Sequence, residues 1–291
     1  MLWFVLLGCV GEGLLKLDLE VDCERYVQVA VGGAHSCAVR GDGALICWGD
    51  ADHIPTEVPE GAFVEVVAGR NHTCALTTAG SVQCWGVDDA GEATPPEDLT
   101  FSTLSASGDA TCGLRSDTGQ VVCWGDAVPG APEEDAGFVE LDVGPAYACA
   151  VDDRGLLTCW GALSDGSAPP AEAEPGSDVT IGADHACDLP AGEAEDDVLC
   201  WGPEEQHAGA PVRPTEGRVD TVSAGDGASC ATSNHFQLLC WGPAAWLDAA
   251  PVELAFSAVA LSPDAGHACG VTQAGPVRCW GADEVGQSTP P

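Results

Sequence analysis

The tripeptide Cys-Trp-Gly recurs along this chain of 291 residues. Its cysteine stands at seven positions: Cys47, Cys84, Cys123, Cys159, Cys200, Cys240 and Cys279. Successive copies are roughly 40 residues apart, and self-similarity at this period is typical of solenoids, propellers and repeat arrays. The repeat runs almost end to end, so we expect one domain whose core is distributed between neighbouring repeats.

A second cysteine precedes each tripeptide at a short and nearly constant distance. The resulting pairs are Cys37 with Cys47, Cys74 with Cys84, Cys112 with Cys123, Cys149 with Cys159, Cys187 with Cys200, Cys230 with Cys240, and Cys269 with Cys279. A hairpin turning midway places such residues opposite each other with Cα atoms roughly 4.5 Å apart, within reach of a disulfide. Seven disulfides indicate an oxidising compartment. Buried thiols and zinc ligands are the alternatives, although the close cysteine knuckle usual in zinc sites is missing.

The second repeat predicts short strands and no helix. Residues 63–67, 72–76 and 81–86 are apolar or β-branched runs, separated by turn-forming residues and followed by a connection at 87–98. Adjacent residues of a strand point to opposite faces, so Cys84 and Trp85 place bulky groups on both. Sheets buried on both faces must lie between similar sheets, as in a propeller. The predicted fold is therefore all-β, a seven-bladed β-propeller.

The N-terminal part of the chain carries two further predictions. Residues 15–21 alternate apolar and polar side chains. We expect each repeat to continue into a further outer strand, which the last repeat lacks, so this N-terminal strand is predicted to complete the seventh blade and close the ring. A linker strand without a partner is the alternative. The expected division is a truncated signal or lipobox at 1–9, a linker and closing strand at 10–25, and the propeller at 26–291.

Residues 1–9 form an apolar run ending in Leu-Leu-Gly-Cys, which resembles the lipobox of bacterial lipoproteins. The resemblance implies a lipidated Cys9, although no basic residue precedes the run as in an ordinary signal. The alternative is an apolar terminus with Cys9 paired to Cys23. No later run reaches 18 apolar residues, so membrane contact is expected only through the lipid. We predict an extracytoplasmic protein, secreted or lipid-anchored at a bacterial envelope.

The stretch from Val66 to Glu92 reads Val-Val-Ala-Gly-x-x-His-x-Cys-Ala-Leu, then Gly-x-Val-x-Cys-Trp-Gly, then acidic residues and Gly-Glu. This unit resembles the regulator of chromosome condensation repeat, in the cysteine-paired version of bacterial secreted and surface proteins. The resemblance covers about residues 26 to 291 and implies a seven-bladed β-propeller. It leaves function open, because the family includes a nuclear guanine-nucleotide exchange factor that binds chromatin and a secreted β-lactamase inhibitor.

Charge argues against the nuclear activities. The chain has 46 acidic and 9 basic residues, a net charge of −37, so it should repel nucleic acid. The seven connections that follow Trp-Gly hold 24 of the 46 acids. We predict that they emerge at one end of the disc as a candidate binding rim that includes Asp50, Asp52, Asp88, Asp89, Glu133, Glu134, Asp135, Glu204, Glu205, Asp283 and Glu284. Solvation alone is the competing explanation.

Histidines at one repeat position invite a metal interpretation: His35, His72, His185 and His267. Each belongs to a different blade, so we interpret them as hydrogen-bonded structural groups. The acidic loop clusters lack the ligand pattern of an EF-hand, so no cofactor is expected and structural calcium is the less favoured alternative. No residue set is typical of a catalytic site: the chain lacks a Gly-x-Ser-x-Gly elbow, and Lys16 is its sole lysine.

These observations favour a monomeric, non-enzymatic scaffold that presents its loops to an unknown partner protein or surface glycan. The alternative function is a propeller lyase or hydrolase acting in the axial funnel. Nucleotide exchange and chromatin binding are disfavoured by the charge and the compartment.

Overall fold

The computed structural model describes residues 25–50, 61–126, 130–132, 137–169, 176–190, 198–203, 214 and 217–291. Within them the chain forms seven antiparallel sheets of three strands each. We call these sheets blades 1 to 7 in chain order. They make the predicted seven-bladed propeller.

The strands of the blades have the following bounds. Blade 1 contains β1 Tyr26–Val31, β2 His35–Arg40 and β3 Leu45–Gly49; blade 2 contains β4 Phe63–Ala68, β5 His72–Thr77 and β6 Val82–Gly86; blade 3 contains β7 Phe101–Ser107, β8 Ala110–Arg115 and β9 Val121–Gly125; blade 4 contains β10 Phe138–Val143, β11 Tyr147–Asp152 and β12 Leu157–Gly161. Blade 5 contains β13 Gly176–Ile181, β14 Ala186–Pro190 and β15 Leu199–Trp201; blade 6 contains β16 Val219–Ala224, β17 Ser229–Ser233 and β18 Leu238–Trp241; blade 7 contains β19 Phe256–Leu261, β20 His267–Thr272 and β21 Val277–Gly281. A short 3-10 helix, Ala245–Ala249, lies between blades 6 and 7.

The first strand of each blade is the innermost. In every blade the second strand pairs with both the first and the third. The first strands of neighbouring blades lie beside one another around the ring, and β1 also lies beside β19 and β20. The Cys-Trp-Gly strands are therefore the outer edges of the blades.

The expectation of a fourth, outer strand in each blade is wrong for the part of the chain that the structure describes, where every sheet has three strands. The connection of residues 87–100, which is described in full, contains only turns and bends. Its glycines and prolines and its internally bonded acids favour loop structure over a strand. The predicted closing strand at residues 15–21 lies outside the described residues.

A C-terminal segment joins blade 7 to blade 1. The indole N–H of Trp48 donates to the carbonyl of Gln287 at 2.9 Å, and the Ser36 hydroxyl donates to the same oxygen at 3.1 Å. In blade 3 the indole of Trp124 donates in the same way to the carbonyl of Glu92, at 3.0 Å. The segment after blade 7 thus contacts blade 1 as the segment after blade 2 contacts blade 3.

The structure contains all seven predicted disulfides, with Cα atoms 4.0 to 4.1 Å apart. The tryptophan of each blade belongs to the same apolar cluster as the disulfide of the preceding blade. Trp85 packs in this way with Cys37 and Cys47. Trp48 packs with the disulfide of blade 7, so the pattern continues around the ring. The core consists of these seven interfaces between blades.

Candidate functional site: the two faces of the disc

The propeller has two faces that differ in their loops. The tip face carries the hairpin tips between second and third strands, such as residues 41–44, and the turn face carries the short turns between first and second strands, such as residues 32–34. A connection begins at the turn face, where Val87 donates its N–H to the Asn71 carbonyl at 2.9 Å. It ends at the tip face, where Phe101 donates to Gly80 at 2.8 Å. The acidic connections therefore start at the turn face, which is the end of the disc where the rim was predicted, and they cross to the tip face.

Asp88 of the predicted rim is bound within its own loop. One carboxylate oxygen accepts the backbone N–H of Ala93 at 2.8 Å, and the other accepts the hydroxyl of Thr94 at 2.7 Å. Two further hydrogen bonds tighten the same loop, from Gly91 to the Asp88 carbonyl at 3.4 Å and from Ala90 to the Glu92 carboxylate at 2.7 Å.

Asp283 repeats this arrangement after blade 7. It accepts the N–H of Ser288 at 2.9 Å and the hydroxyl of Thr289 at 2.8 Å. Both loops have an aspartate followed, after two residues, by Gly-Glu or Gly-Gln and then a threonine. The two aspartates therefore shape loops that dock onto the next blade, although they are exposed, as are their neighbours Asp89 and Glu284.

The other predicted rim residues divide in two groups. Asp50 begins the connection after β3, and its N–H donates to the Ala34 carbonyl at 2.9 Å. The others, and the predicted lipidation site, lie outside the described residues: Asp52, Glu133, Glu134, Asp135, Glu204, Glu205 and Cys9. The complete rim stays a prediction.

The four repeat-position histidines are fully buried between blades. In each, Nε2 is hydrogen-bonded to a hydroxyl of the next blade: His35 to Thr73 at 2.7 Å, His72 to Thr111 at 2.7 Å, His185 to Ser229 at 2.7 Å, and His267 to Ser36 at 3.2 Å. Burial lowers the pKa of His72, and it lowers that of His267 to about 4. The rings of His72 and His267 are therefore neutral at physiological pH. All four histidines act as links between blades.

Histidine and hydroxyl are matched between neighbouring repeats. The blades without the histidine have Ala110, Tyr147 and Ala228 at that position. The blades that follow them have Ala148, Ala186 and Ala268 where the others have serine or threonine. Matching avoids a buried hydroxyl or imidazole without its partner. The matching is visible in the sequence when the histidine position of one repeat is compared with the hydroxyl position of the next. Considering the histidines of each repeat alone did not predict their hydroxyl partners.

An ion pair crosses the axis on the turn face. The turn between β19 and β20 has five residues, 262–266, against three in blade 1, 32–34. From this longer turn Asp264 reaches Arg70 of blade 2, with 3.2 Å between Oδ1 and Nη2, and it accepts the N–H of Gly108 of blade 3 at 3.1 Å. We call Asp264, Arg70 and Gly108 the axial strap. It joins blade 7 to the blades two and three places further around the ring.

Polar side chains of the inner strands clamp blade 1 to blade 2 and blade 2 to blade 3. Gln28 bonds both backbone groups of Val66, at 3.0 and 2.7 Å. Glu65 accepts the hydroxyl of Thr103 at 2.9 Å and the N–H of Leu104 at 3.2 Å. The strand pattern alone did not reveal these contacts, because they depend on how neighbouring blades are aligned.

Four carboxyl groups of the inner strands have pKa values above their usual range. Burial raises the pKa of Glu65 and of Glu140 to about 7, and that of Asp142 to about 6. Burial and then the charge of Glu140 raise the pKa of Asp178. The charge of Glu140 also helps to raise the pKa of Glu65, as expected for carboxyl groups on the inner strands of one ring.

Among the described residues, no three histidine, cysteine or acidic side chains are arranged to hold a metal ion. No described helix is long and apolar enough to cross a bilayer.

A family model of the regulator of chromosome condensation (RCC1) repeat matches residues 26–53 and 63–92. These two segments contain the strands of blades 1 and 2. The paired cysteines and Cys-Trp-Gly recur in the other five blades.

Several solved structures share the fold. The CRINKLY WD40 ectodomain of the Arabidopsis thaliana receptor kinase ACR4 is 24% identical, with a TM-score of 0.76 over 92% of this chain and 98% of that one. The ectodomain of the Physcomitrella patens receptor kinase CR4 is 23% identical, with a TM-score of 0.74 over 89% and 74%. Prp20p from Saccharomyces cerevisiae is 16% identical, with a TM-score of 0.64 over 81% and 80%.

Proposed function

This chain is a repeat protein of the regulator of chromosome condensation type, and on that premise we propose that it is an extracytoplasmic scaffold that binds a basic partner protein through its connecting loops. The proposal assigns no catalysis to the chain. A bacterial envelope location, the lipid at Cys9 and closure of the ring by residues 15–21 are parts of the same proposal.

The observation that carries the proposal is the separation of framework from loops. Disulfides, tryptophans and histidine links recur at the same places around the ring. Outside these features the repeats differ. The paired cysteines are 10 residues apart in blade 1 and 13 residues apart in blade 5. The connections also vary in length and sequence. A rigid framework that carries variable loops is the usual arrangement of recognition proteins.

Charge supports a basic partner. The chain has a net charge of −37, and described acids of the connections are exposed, among them Asp89, Glu97 and Glu253. A field of one sign steers an oppositely charged protein to its site and repels nucleic acid. The same field disfavours an acidic glycan.

The disulfides support an oxidising, extracytoplasmic compartment. Two of the similar structures are ectodomains of receptor kinases, which shows that this fold also serves outside cells. The repeat histidines are buried between blades and Glu65 bonds the neighbouring strand, so the proposal gives these groups structural roles.

The test is a pull-down from an envelope extract with two charge-matched variants. One neutralises connection acids (Asp89→Asn, Glu97→Gln, Glu253→Gln), and the control neutralises tip acids (Asp42→Asn, Asp117→Asn, Asp153→Asn). We expect the first variant alone to lose a basic protein that the unmodified chain retains at low salt. Equal retention by both variants, or capture of a glycan with no protein, would contradict the proposal.

A further inference from the structure

Phe236, at the hairpin tip of blade 6, has a backbone conformation that five other blades adopt with a glycine at this position. Its φ is 64°, in the left-handed region. The same turn position is occupied by Gly43, Gly80, Gly119, Gly155 and Gly275, all with positive φ. The turn itself is unchanged, because Phe236 donates its N–H to the Ser233 carbonyl at 2.7 Å as Gly275 does to Thr272 at 2.8 Å.

Left-handed φ is strained for a bulky residue, and glycine would remove the strain. Packing in the core does not offset this strain: among the described residues, the ring of Phe236 joins none of the apolar clusters between the blades and is only partly buried. Strain that local stability does not require is concentrated at binding sites in proteins. The side chain therefore has a use at the surface.

Other exposed apolar residues lie beside this tip. Phe236 accepts the N–H of Phe256 at 2.8 Å, and Gln237 pairs with Ala255 in an antiparallel bridge. The end of the connection from blade 6 to blade 7 therefore runs along the tip. In that segment the exposed fractions are 57% for Val252 and 36% for Leu254.

The charges beside these residues indicate the kind of partner. Asp248 and Glu253 belong to the same connection and are exposed. The exposed base Arg218 is also near, since its carbonyl accepts the N–H of Asn234 in the tip at 3.0 Å. Glu253 stands between Val252 and Leu254 in the sequence, and the whole chain is strongly negative. An apolar surface beside an acid, on a protein of high negative charge, fits an apolar side chain flanked by basic residues.

We propose that Phe236, Val252 and Leu254 form an anchor site, the blade-6 patch, for an apolar side chain of a basic partner protein. This inference rests on the proposed function and specifies where the partner is held, at the end of the connection from blade 6 to blade 7 and at the hairpin tip beside it. Aromatic side chains in such positions commonly supply a large share of binding energy, and the acids beside them supply steering.

The probe is a synthetic peptide of alternating lysine and leucine with a central tryptophan, titrated by fluorescence or NMR into the full chain. The variants are Phe236→Gly and Phe236→Asn, both compatible with left-handed φ, and the matched control is Leu156→Ser, which removes another exposed apolar residue at the tip of blade 4. We expect both Phe236 variants to raise Kd about tenfold or more, with an unfolding temperature equal to or above that of the unmodified chain. The control should leave Kd unchanged.

Four outcomes overturn the inference. Equal weakening by Leu156→Ser indicates general hydrophobic adhesion. Unchanged binding by the Phe236 variants together with loss in the connection-acid variant refutes the patch and leaves the proposed function standing. Lower unfolding temperatures in both Phe236 variants assign the ring a role in the fold. If the peptide binds no form of the chain, both the patch and the basic partner are refuted.

Discussion

His267 of the last blade and Ser36 of the first are joined by a hydrogen bond of 3.2 Å between Nε2 and Oγ, across 231 residues of sequence. The Ser36 hydroxyl donates its proton to the Gln287 carbonyl at 3.1 Å, so it must accept from the histidine. This assigns the proton of the neutral imidazole to Nε2. The link between the last and first blades thus uses the same histidine–hydroxyl pair as the links between blades 1 and 2, 2 and 3, and 5 and 6.

We predict that Ser36→Ala lowers the free energy of unfolding by about 1–3 kcal/mol, because it leaves a buried imidazole N–H without its acceptor. His267→Ala should also destabilise the chain. The double variant should cost less than the sum, with a coupling of about 0.5–3 kcal/mol, since three natural blade pairs already have alanine opposite a residue other than histidine. A double-mutant cycle in denaturant measures the coupling, and strict additivity would contradict the pairing.

The indole of Trp48 gives a second test of ring closure. Trp48→Phe removes the hydrogen bond to Gln287 and should cost about 0.5–1.5 kcal/mol beyond the loss of ring area. Trp280→Phe is the matched control, because the indole N–H of Trp280 has no partner among the described residues. Denaturant midpoints of the two variants should differ by this amount. Equal midpoints would show that the C-terminal segment does not hold blade 1.

The framework was predictable from sequence because covalent geometry links spacing to structure. Two cysteines ten residues apart can meet only across a hairpin, and the tryptophan beside one of them must then face the other side. Trp85 and the disulfide of Cys37 and Cys47 follow directly from these rules.

The loops were less predictable because composition does not distinguish their uses. Asp88 and Asp89 are adjacent exposed acids of the same loop, yet it is Asp88 that bonds Ala93 and Thr94 and shapes the loop. The axial strap depends on a turn in blade 7 meeting Arg70 of blade 2, which requires the completed ring. Left-handed φ at Phe236 could be suspected only by aligning the tips, where glycine stands in its place.

Removing one disulfide should weaken the chain measurably. Paired substitution of Cys74 and Cys84 by serine opens a loop of eleven residues and should cost about 2.5–3 kcal/mol. The contact with Trp124 of blade 3 should loosen as well. Denaturant unfolding measures the cost, and peptide mapping without reduction should recover the seven local pairs in the unmodified protein. About fourteen free thiols in that protein, or an unchanged midpoint, would contradict the prediction.

Stability should fall as the pH rises from about 6.5 to about 7.5, because carboxyls whose pKa is raised by folding bind protons more tightly in the folded state. Below about pH 6.5 the lowered pKa values of His72 and His267 act in the opposite direction, since these buried rings resist protonation. For Glu65 the pKa rises from 4.5 to about 7, so the stability that its protonated form contributes is fully present below pH 4.5 and is lost on approaching pH 7. Glu140 and Asp142 act in the same direction.

Unfolding temperatures measured across this range check the prediction. Glu65→Gln and Glu140→Gln together should raise stability at neutral pH and flatten the profile, because a neutral amide needs no proton in the folded state. Glu97→Gln removes an exposed acid and serves as the charge control. If this control flattens the profile as much as the inner-strand pair, general repulsion among 46 acids causes the dependence, and the inner carboxyls do not.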